Sequence, residues 1–208
     1  LADRIAERIL LEPQAMRVFV RIEKLDRGPG ALGVEIVRAR SAEEPAAHLE
    51  DKPHPQIVYL SNAAIQSPFL TGWLDQLEAE HRPTVLCIGA ADVSAPQAGA
   101  TMAQRRIDLL AIEQNAWVLA GRDARCVVVN TRTELDWAMK NDQISVWAPS
   151  KIVLDAVDGP SAQPRDALAL ALWFAREIQA ADVLVIGHEL PQDHEVPLRA
   201  VALDVKVL

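Results

Sequence analysis

The chain has 208 residues, half of them apolar, and a formal net charge of −8 at pH 7. A chain of this length can bury one large hydrophobic core or two smaller ones. The acidic balance and the lack of a basic stripe argue against a nucleic acid as partner, because phosphate binding needs clustered Lys and Arg. No apolar run approaches the roughly 18 to 20 residues that a bilayer span requires, so we expect no membrane association.

The two cysteines, Cys87 and Cys126, each lie in a short apolar run that predicts a buried strand. We therefore expect both to be free core residues in a reducing compartment. The chain opens without a charged and then apolar leader, and a cytoplasmic location is the resulting expectation.

An amphipathic helix is predicted at the start of the chain, over residues 1–11. Its apolar face consists of Leu1, Ile5, Ile9 and Leu10. Alternating apolar residues then predict a strand over 17–24, a turn at 28–30 and a return strand over 32–38. Because Leu1 already lies inside the helical pattern with no N-cap residue before it, we expect the sequence to begin partway through a domain.

Residues 41–54 are rich in acidic residues and proline and lack a sustained period, so we interpret them as a linker. Strand and helix patterns alternate after it. The predicted strands cover 56–60, 84–88, 126–130, 144–147 and 183–186, and the predicted helices cover 68–80, 102–119, 134–139 and 165–178. This alternation predicts an α/β domain over 55–208, with a mainly parallel sheet that helices cover on both sides.

Two predicted helices have contrasting patterns. The segment from Ala167 to Phe174 is apolar nearly all round, which predicts burial. The helix at 102–119 places Ile107, Leu110, Trp117 and Val118 on one face. The five tryptophans all lie in predicted helices or strands and are expected to be mostly core or interface residues: Trp73, Trp117, Trp137, Trp147 and Trp173.

The order helix, strand, strand in residues 1–40 contains three motifs: Leu1-Ala2-x-x-Ile5-Ala6, a strand that ends in Lys24, and Gly33-Val34-Glu35-Ile36-x-Arg38. Together they resemble the C-terminal half of a dihydroneopterin aldolase. The resemblance implies half of a tunnelling fold, a barrel assembled from several subunits. It also implies retro-aldol cleavage of dihydroneopterin to a 6-hydroxymethyl pterin and glycolaldehyde, with no metal or organic cofactor.

Lys24 matches the position of that family's catalytic lysine. The reaction needs a base for the side-chain hydroxyl of the substrate, and a lysine serves when burial or a nearby cation keeps some of the amine neutral. Two departures stand out: Leu25 follows Lys24 where the family often has proline, and the carboxylate that anchors the pterin would lie before Leu1. The alternative is that Lys24 is a solvated residue at a strand end.

Residues 55–190 resemble the amino-acid kinase superfamily, and in particular its small members that phosphorylate a furan alcohol phosphate in methanofuran synthesis. The resemblance rests on the strand Gln56–Leu60, the turn after Ile88, the long helix around Glu113, the Trp147-x-Pro149 motif and the helix at 165–178. It implies an α/β shell with a phosphoryl-transfer site at the strand ends.

The residues that such a site needs are replaced. Tyr59 occupies the place of the first lysine, Ser61 and Asn62 replace two glycines, and Gly89 is left from a turn of three glycines. Gly187 stands where a later lysine would be, and Leu168 stands over the catalytic aspartate. Because phosphoryl transfer depends on cations and closely approaching backbone amides, we expect a kinase-like shell without kinase activity.

Two polar clusters suggest weaker alternatives. The segment from His188 to Glu195 has ligand types that zinc accepts, but Pro191 interrupts a helical arrangement, and we expect a solvated loop and no metal. Arg105 and Arg106 are more consistent with a helix surface than with an anion site.

Our preferred hypothesis is a dihydroneopterin aldolase-like protein of folate or methanopterin biosynthesis, with an inactive kinase-like domain, a pterin-like ligand and a homo-oligomeric assembly. A second hypothesis is a noncatalytic protein whose α/β domain binds a small ligand or a partner. An active small-molecule kinase is the third.

Overall fold

The computed structural model describes residues 1–24, 32–39, 54–192 and 196–208. It separates the chain into two compact units, Leu1–Lys52 and Pro53–Leu208. The turn expected at 28–30 and nearly all of the linker expected at 41–54 lie outside the described residues. We refer to the two parts as unit 1 and unit 2.

Unit 1 consists of one helix and one antiparallel strand pair. Helix α1 covers Ala2–Leu10, strand β1 covers Arg17–Lys24 and strand β2 covers Leu32–Ala39. The strands pair in register from Arg17 opposite Ala39 to Lys24 opposite Leu32. The order helix, strand, strand follows the sequence prediction.

The buried core of unit 1 is small. Among the described residues it consists of Ala2, Ala6, Val18 and Val20, with Leu10, Ile22 and Ile36 packed against it. Helix α1 therefore contacts the strands mainly through alanines, whereas Ile5 and Ile9 of its predicted apolar face are exposed. On the strands, Phe19 lies opposite Val37 and is 67% exposed. So few buried residues stabilise a two-stranded sheet only marginally.

Unit 2 is built on a six-stranded sheet in the order β5-β6-β4-β3-β7-β8, and all neighbouring strands are parallel. The strands are β3 Gln56–Leu60, β4 Thr84–Ile88, β5 Val127–Val129, β6 Ser145–Trp147, β7 Asp182–Ile186 and β8 Leu198–Val201. The helices are α2 Asn62–Gln66, α3 Leu70–Ala79, α4 Thr101–Ala120, α5 Arg132–Lys140, α6 Ser150–Asp155 and α7 Ala167–Glu177. The predicted α/β class and parallel sheet are confirmed.

The centre of the sheet is covered on both faces. Every residue of β3 and β4 is buried, and alternate residues of a strand point to opposite faces, so side chains pack on each side. The nearly all-apolar helix α7 packs against β3, β4 and β7, as its sequence predicts. Cys87 and Cys126 are free and buried in this core.

Three short elements were not predicted: α2, α6 and β8. Each is six residues or shorter, and such segments have no sustained period. Helix α2 begins at Ser61, whose side-chain oxygen accepts a hydrogen bond from the backbone N of Ala64. The helix predicted to begin at Pro68 starts at Leu70.

The face of α4 that contains Leu110, Trp117 and Val118 does not belong to the core. The helix buries Leu109, Ile112, Asn115, Ala116 and Leu119 instead. Trp117 and Trp137 are exposed, whereas the other three tryptophans are buried. None of the described helices combines the length and apolar character needed to cross a membrane.

Candidate functional site

The order of the strands reverses between β3 and β7. The chain leaves β3 toward β4 on one side, and leaves β7 toward β8 on the other. In parallel α/β sheets, ligands bind outside the carboxyl ends of the strands at such a switch point. We call this end of the sheet the carboxyl edge; Ser61 follows β3 there, and Gly187 follows β7.

Ser61 and Gly187 lie against each other at the switch point. The Ser61 backbone N donates a hydrogen bond of 3.1 Å to the carbonyl oxygen of Ile186. Gly187 has a φ of +73°, and a Cβ on it would lie 2.6 Å from both Ser61 Oγ and Leu203 Cδ2. Only glycine fits there, and the space that a lysine side chain would need is occupied.

The side-chain amides of two asparagines bond to the backbone that follows β4. Asn115 Nδ2 donates to Asn62 Oδ1 at 2.9 Å and to the Gly89 carbonyl oxygen at 2.8 Å. Asn62 Nδ2 in turn donates to the Ala90 carbonyl oxygen at 2.9 Å and to Asp92 Oδ1 at 2.8 Å. These bonds connect the segments that follow β3 and β4 to each other and to α4.

Tyr59 lies at the same edge, and a Cβ added to Gly89 would lie 3.6 Å from the Tyr59 hydroxyl. The side chain is buried, and its ring meets the ring of His188 edge-on with centroids 5.8 Å apart. Burial raises the pKa of Tyr59 to about 12, and the nearby Cys87 and Asp166 add to the shift. The phenol is therefore a neutral hydrogen-bonding group at physiological pH, and no substitute for a lysine cation.

The N-terminus of α7 completes the edge. Asp166 Oδ1 accepts a hydrogen bond from the backbone N of Ala169 and so caps the helix. A Cβ added to Gly89 would lie 3.1 Å from the Cβ of Ala167, so the two backbones approach closely there. Leu168, the residue aligned with the kinase aspartate, is buried in the hydrophobic core.

Of the six predicted kinase positions, the structure brings five to this edge: Tyr59, Ser61, Asn62, Gly89 and Gly187. None of these five residues is Lys or Arg, and Asp92 and Asp166 are acidic; Arg165, next to Asp166, is basic. Such an edge can bind a neutral or weakly polar group through amides and hydroxyls, but it offers little to a polyphosphate.

A cavity of about 270 Å³ lies beside the edge. Its polar lining includes Asp108 and Arg165, whose Nε lies 3.3 Å from Asp108 Oδ2. A wider groove of about 930 Å³ lies along Gly187, His188 and the segment 200–204. The first cavity has the size of a small heterocycle; its single arginine is already paired.

Lys24, the predicted catalytic base, belongs to unit 1. Lys24 is exposed at the end of β1 in unit 1. Gly33, from the neighbouring strand, can only be glycine, since a Cβ would lie 2.1 Å from the carbonyl oxygen of Ile22. The hairpin is thus tightly paired at the end where Lys24 lies.

The weaker candidates separate from one another. Arg105 approaches Gly159, whereas Arg106 is exposed, so the two do not form one anion site. His188 and Glu189 are exposed, and residues 193–195 lie outside the described part of the loop. Within the described residues, no three His, Cys, Asp or Glu side chains are grouped so as to hold a metal ion.

Comparison of the chain with known protein families and with curated proteins gives no match.

Sequence reasoning missed Asn115, the buried residue that connects the two loops. Asn115 lies on the buried face of α4, three residues after Ile112 and four before Leu119. A polar residue in that register is a signal, because a buried amide is expected to be hydrogen-bonded. Its two partners lie 26 and 53 residues away in the sequence and could not have been named.

Proposed function

We propose that the chain is a dihydroneopterin aldolase-like protein of folate or methanopterin biosynthesis. In this proposal Lys24 is the base of the retro-aldol step, a pterin is the substrate, and unit 2 is a kinase-like domain without kinase activity. The other half of the tunnelling fold is supplied by another part of the assembly. No cofactor takes part.

The architecture of unit 1 carries this proposal. Helix α1 covers one face of a hairpin whose first strand ends in Lys24, in agreement with the order of elements implied by the resemblance. The unit leaves Ile5, Ile9 and Phe19 exposed, and its described strands pair only with each other. A sheet with two open edges and exposed apolar residues is suited to pairing with further strands.

The exposure of Lys24 makes assembly part of the proposed mechanism. A lysine in open water is protonated at neutral pH and is a poor base. Covering the end of β1 with strands of another subunit would desolvate the amine and favour its neutral form. We therefore expect activity only in the assembled state, and a monomeric protein in light scattering would contradict the barrel.

The test is release of glycolaldehyde from dihydroneopterin by the full-length protein. We expect Lys24→Ala to lose this activity. Arg17→Ala is the matched control, because Arg17 is exposed at the other end of the same strand. Full activity in Lys24→Ala would remove Lys24 from the mechanism, and no glycolaldehyde from the unsubstituted protein would reject the aldolase itself.

A second candidate function for unit 2 is noncatalytic binding of a small ligand. It is favoured by the cavity of about 270 Å³ beside an edge that has amides and a phenol in place of cations. A ligand that binds only the folded state raises its stability, by about 2.7 kcal/mol at a hundred times its Kd. We expect a pterin or a furan alcohol, but not ATP with magnesium, to raise the unfolding temperature.

The third candidate, a small-molecule kinase, makes the opposite prediction. Magnesium-dependent stabilisation by ATP, with transfer of phosphate, would show that unit 2 handles nucleotides without the expected cations. The thermal measurement thus separates the binding hypothesis from the kinase hypothesis.

A further inference from the structure

Helix α4 presents an apolar stripe to solvent. Leu110 is 51% exposed and Trp117 is 65% exposed. Together with Ala103 they are spaced by seven residues, which is two turns of a helix and returns nearly to the same side. The stripe lies outside the core of unit 2, so these apolar side chains are exposed along a 20-residue helix.

Charged residues follow one flank of the stripe. Arg106 lies one turn before Leu110, and Glu113 lies about one turn after it on the same side of the helix. Arg106 makes no ion pair with any residue that the structure describes. Glu113 is partly exposed, and its Oε1 accepts a hydrogen bond from the Ser150 backbone N at 2.9 Å.

We propose that α4 pairs antiparallel with α4 of a second copy of this chain, about a two-fold axis that passes near Leu110. In this arrangement Leu110 meets its own copy and the small Ala103 lies opposite the large Trp117. Each Arg106 then faces Glu113 of the other copy, so the contact contains two opposite-charge pairs. A two-fold interface must be self-complementary, and this helix is so in both size and charge.

The area of this contact is small compared with that of stable interfaces. A helix of this length is about 30 Å long, and a strip roughly 10 Å wide covers on the order of 300 Å² per copy. Stable interfaces bury about 800 Å² per partner. The pairing of α4 alone is therefore a weak, concentration-dependent contact, which becomes significant when another interface already holds copies together. Its significance rests on the assembly proposed for unit 1, but the contact can be tested without any enzymatic activity.

Site-directed crosslinking of the full chain tests the proposal. In Leu110→Cys the new thiols meet across the axis, and mild oxidation should give a covalent dimer in non-reducing electrophoresis. Val157→Cys is the control, because Val157 is 99% exposed and lies outside α4. Any assembly through unit 1 is the same in both variants, and the natural cysteines are buried. Equal dimer yields in both variants, or none in Leu110→Cys, would overturn the proposal.

Charge reversal then tests the register. In the Leu110→Cys background, Arg106→Glu places like charges together and should slow crosslinking about fivefold. Adding Glu113→Arg to the same chain restores opposite charges and should restore the rate, in protein whose urea unfolding shows that loss of the bond to Ser150 leaves unit 2 folded. A crosslinking rate that Arg106→Glu does not change, or that the second reversal does not restore, would overturn the antiparallel register.

Discussion

Replacement of Gly187 by alanine should destabilise unit 2 strongly, because two costs combine at this position. The φ of +73° lies in the left-handed region, which costs an L residue about 1 to 2 kcal/mol. The new Cβ would also lie 2.6 Å from Ser61 Oγ and Leu203 Cδ2, and overpacking of this kind costs about 1 to 3 kcal/mol. The lower entropy of the unfolded alanine chain returns about 0.4 to 1 kcal/mol. We expect a net loss of roughly 1 to 4.5 kcal/mol.

Gly72→Ala is the matched control. Gly72 lies inside α3, and a Cβ there would meet nothing within 4 Å. The same change should therefore stabilise unit 2 by about 0.5 to 1 kcal/mol. Urea unfolding followed by tryptophan fluorescence reports on unit 2 alone, since all five tryptophans lie between residues 73 and 173. A Gly187→Ala protein within 0.5 kcal/mol of the original, a typical surface effect, would refute the filled switch point.

Three further predictions concern groups in unit 2. Tyr59 is the only tyrosine in the chain, so absorbance near 295 nm in base should follow it alone and give a midpoint near pH 12. Because burial raises the pKa of Tyr59, the stability due to its burial is lost as the pH rises from 10 toward 12. A midpoint near 10 in the folded protein would contradict the burial of Tyr59. The hydrogen bond from Arg125 lowers the pKa of Asp123, so this pair stabilises the protein above the unfolded Asp pKa near 3.8 and less as the pH falls below it. Arg125→Ala should therefore make the unfolding free energy fall less as the pH drops below about 3.8, and an unchanged slope would mean that the pair does not contribute. Asn115→Ala removes two hydrogen bonds of a buried side chain and leaves the Gly89 carbonyl oxygen without this donor. The change should lower the free energy of unfolding by about 2 to 4 kcal/mol in the same urea assay. An unchanged free energy of unfolding would show that the loops do not depend on Asn115.

The regular elements of the fold could be predicted because their periods are long and clear. Strands β3 and β4 are continuous apolar runs, and their predicted bounds agree with the structure. The short α2 depends on a single cap at Ser61, which looks the same in sequence as a loop serine. β8 was missed because it is short and only partly buried at an edge of the sheet.

Which apolar face of a helix is buried could not be predicted from periodicity alone. α1 has Leu1, Ile5 and Ile9 on its apolar side, yet it packs through Ala2 and Ala6, because small residues allow close approach to the hairpin. In α4 likewise, the stripe with Leu110 and Trp117 is exposed, and the opposite stripe is in the core. In both helices the exposed stripe is consistent with contacts between chains, which a single sequence does not distinguish from a core.

The contacts at the carboxyl edge could not be predicted from the sequence. The resemblance to the kinase superfamily implies only that Tyr59, Asn62 and Gly187 stand where that family has lysines and glycines. It does not indicate that Leu203 fills the space beside Gly187, or that Asn62 bonds to Asn115, because these contacts join distant segments. Such pairings follow from the order of the strands and become visible only in the fold.

The most direct test of the proposed function compares glycolaldehyde release by Lys24→Ala and Arg17→Ala variants of the full-length protein. Loss of a general base typically lowers a rate by about 10² to 10⁴. We therefore expect Lys24→Ala to fall at least about a hundredfold below Arg17→Ala, with the same subunit assembly in both. Equal rates in the two variants would contradict the central role assigned to Lys24.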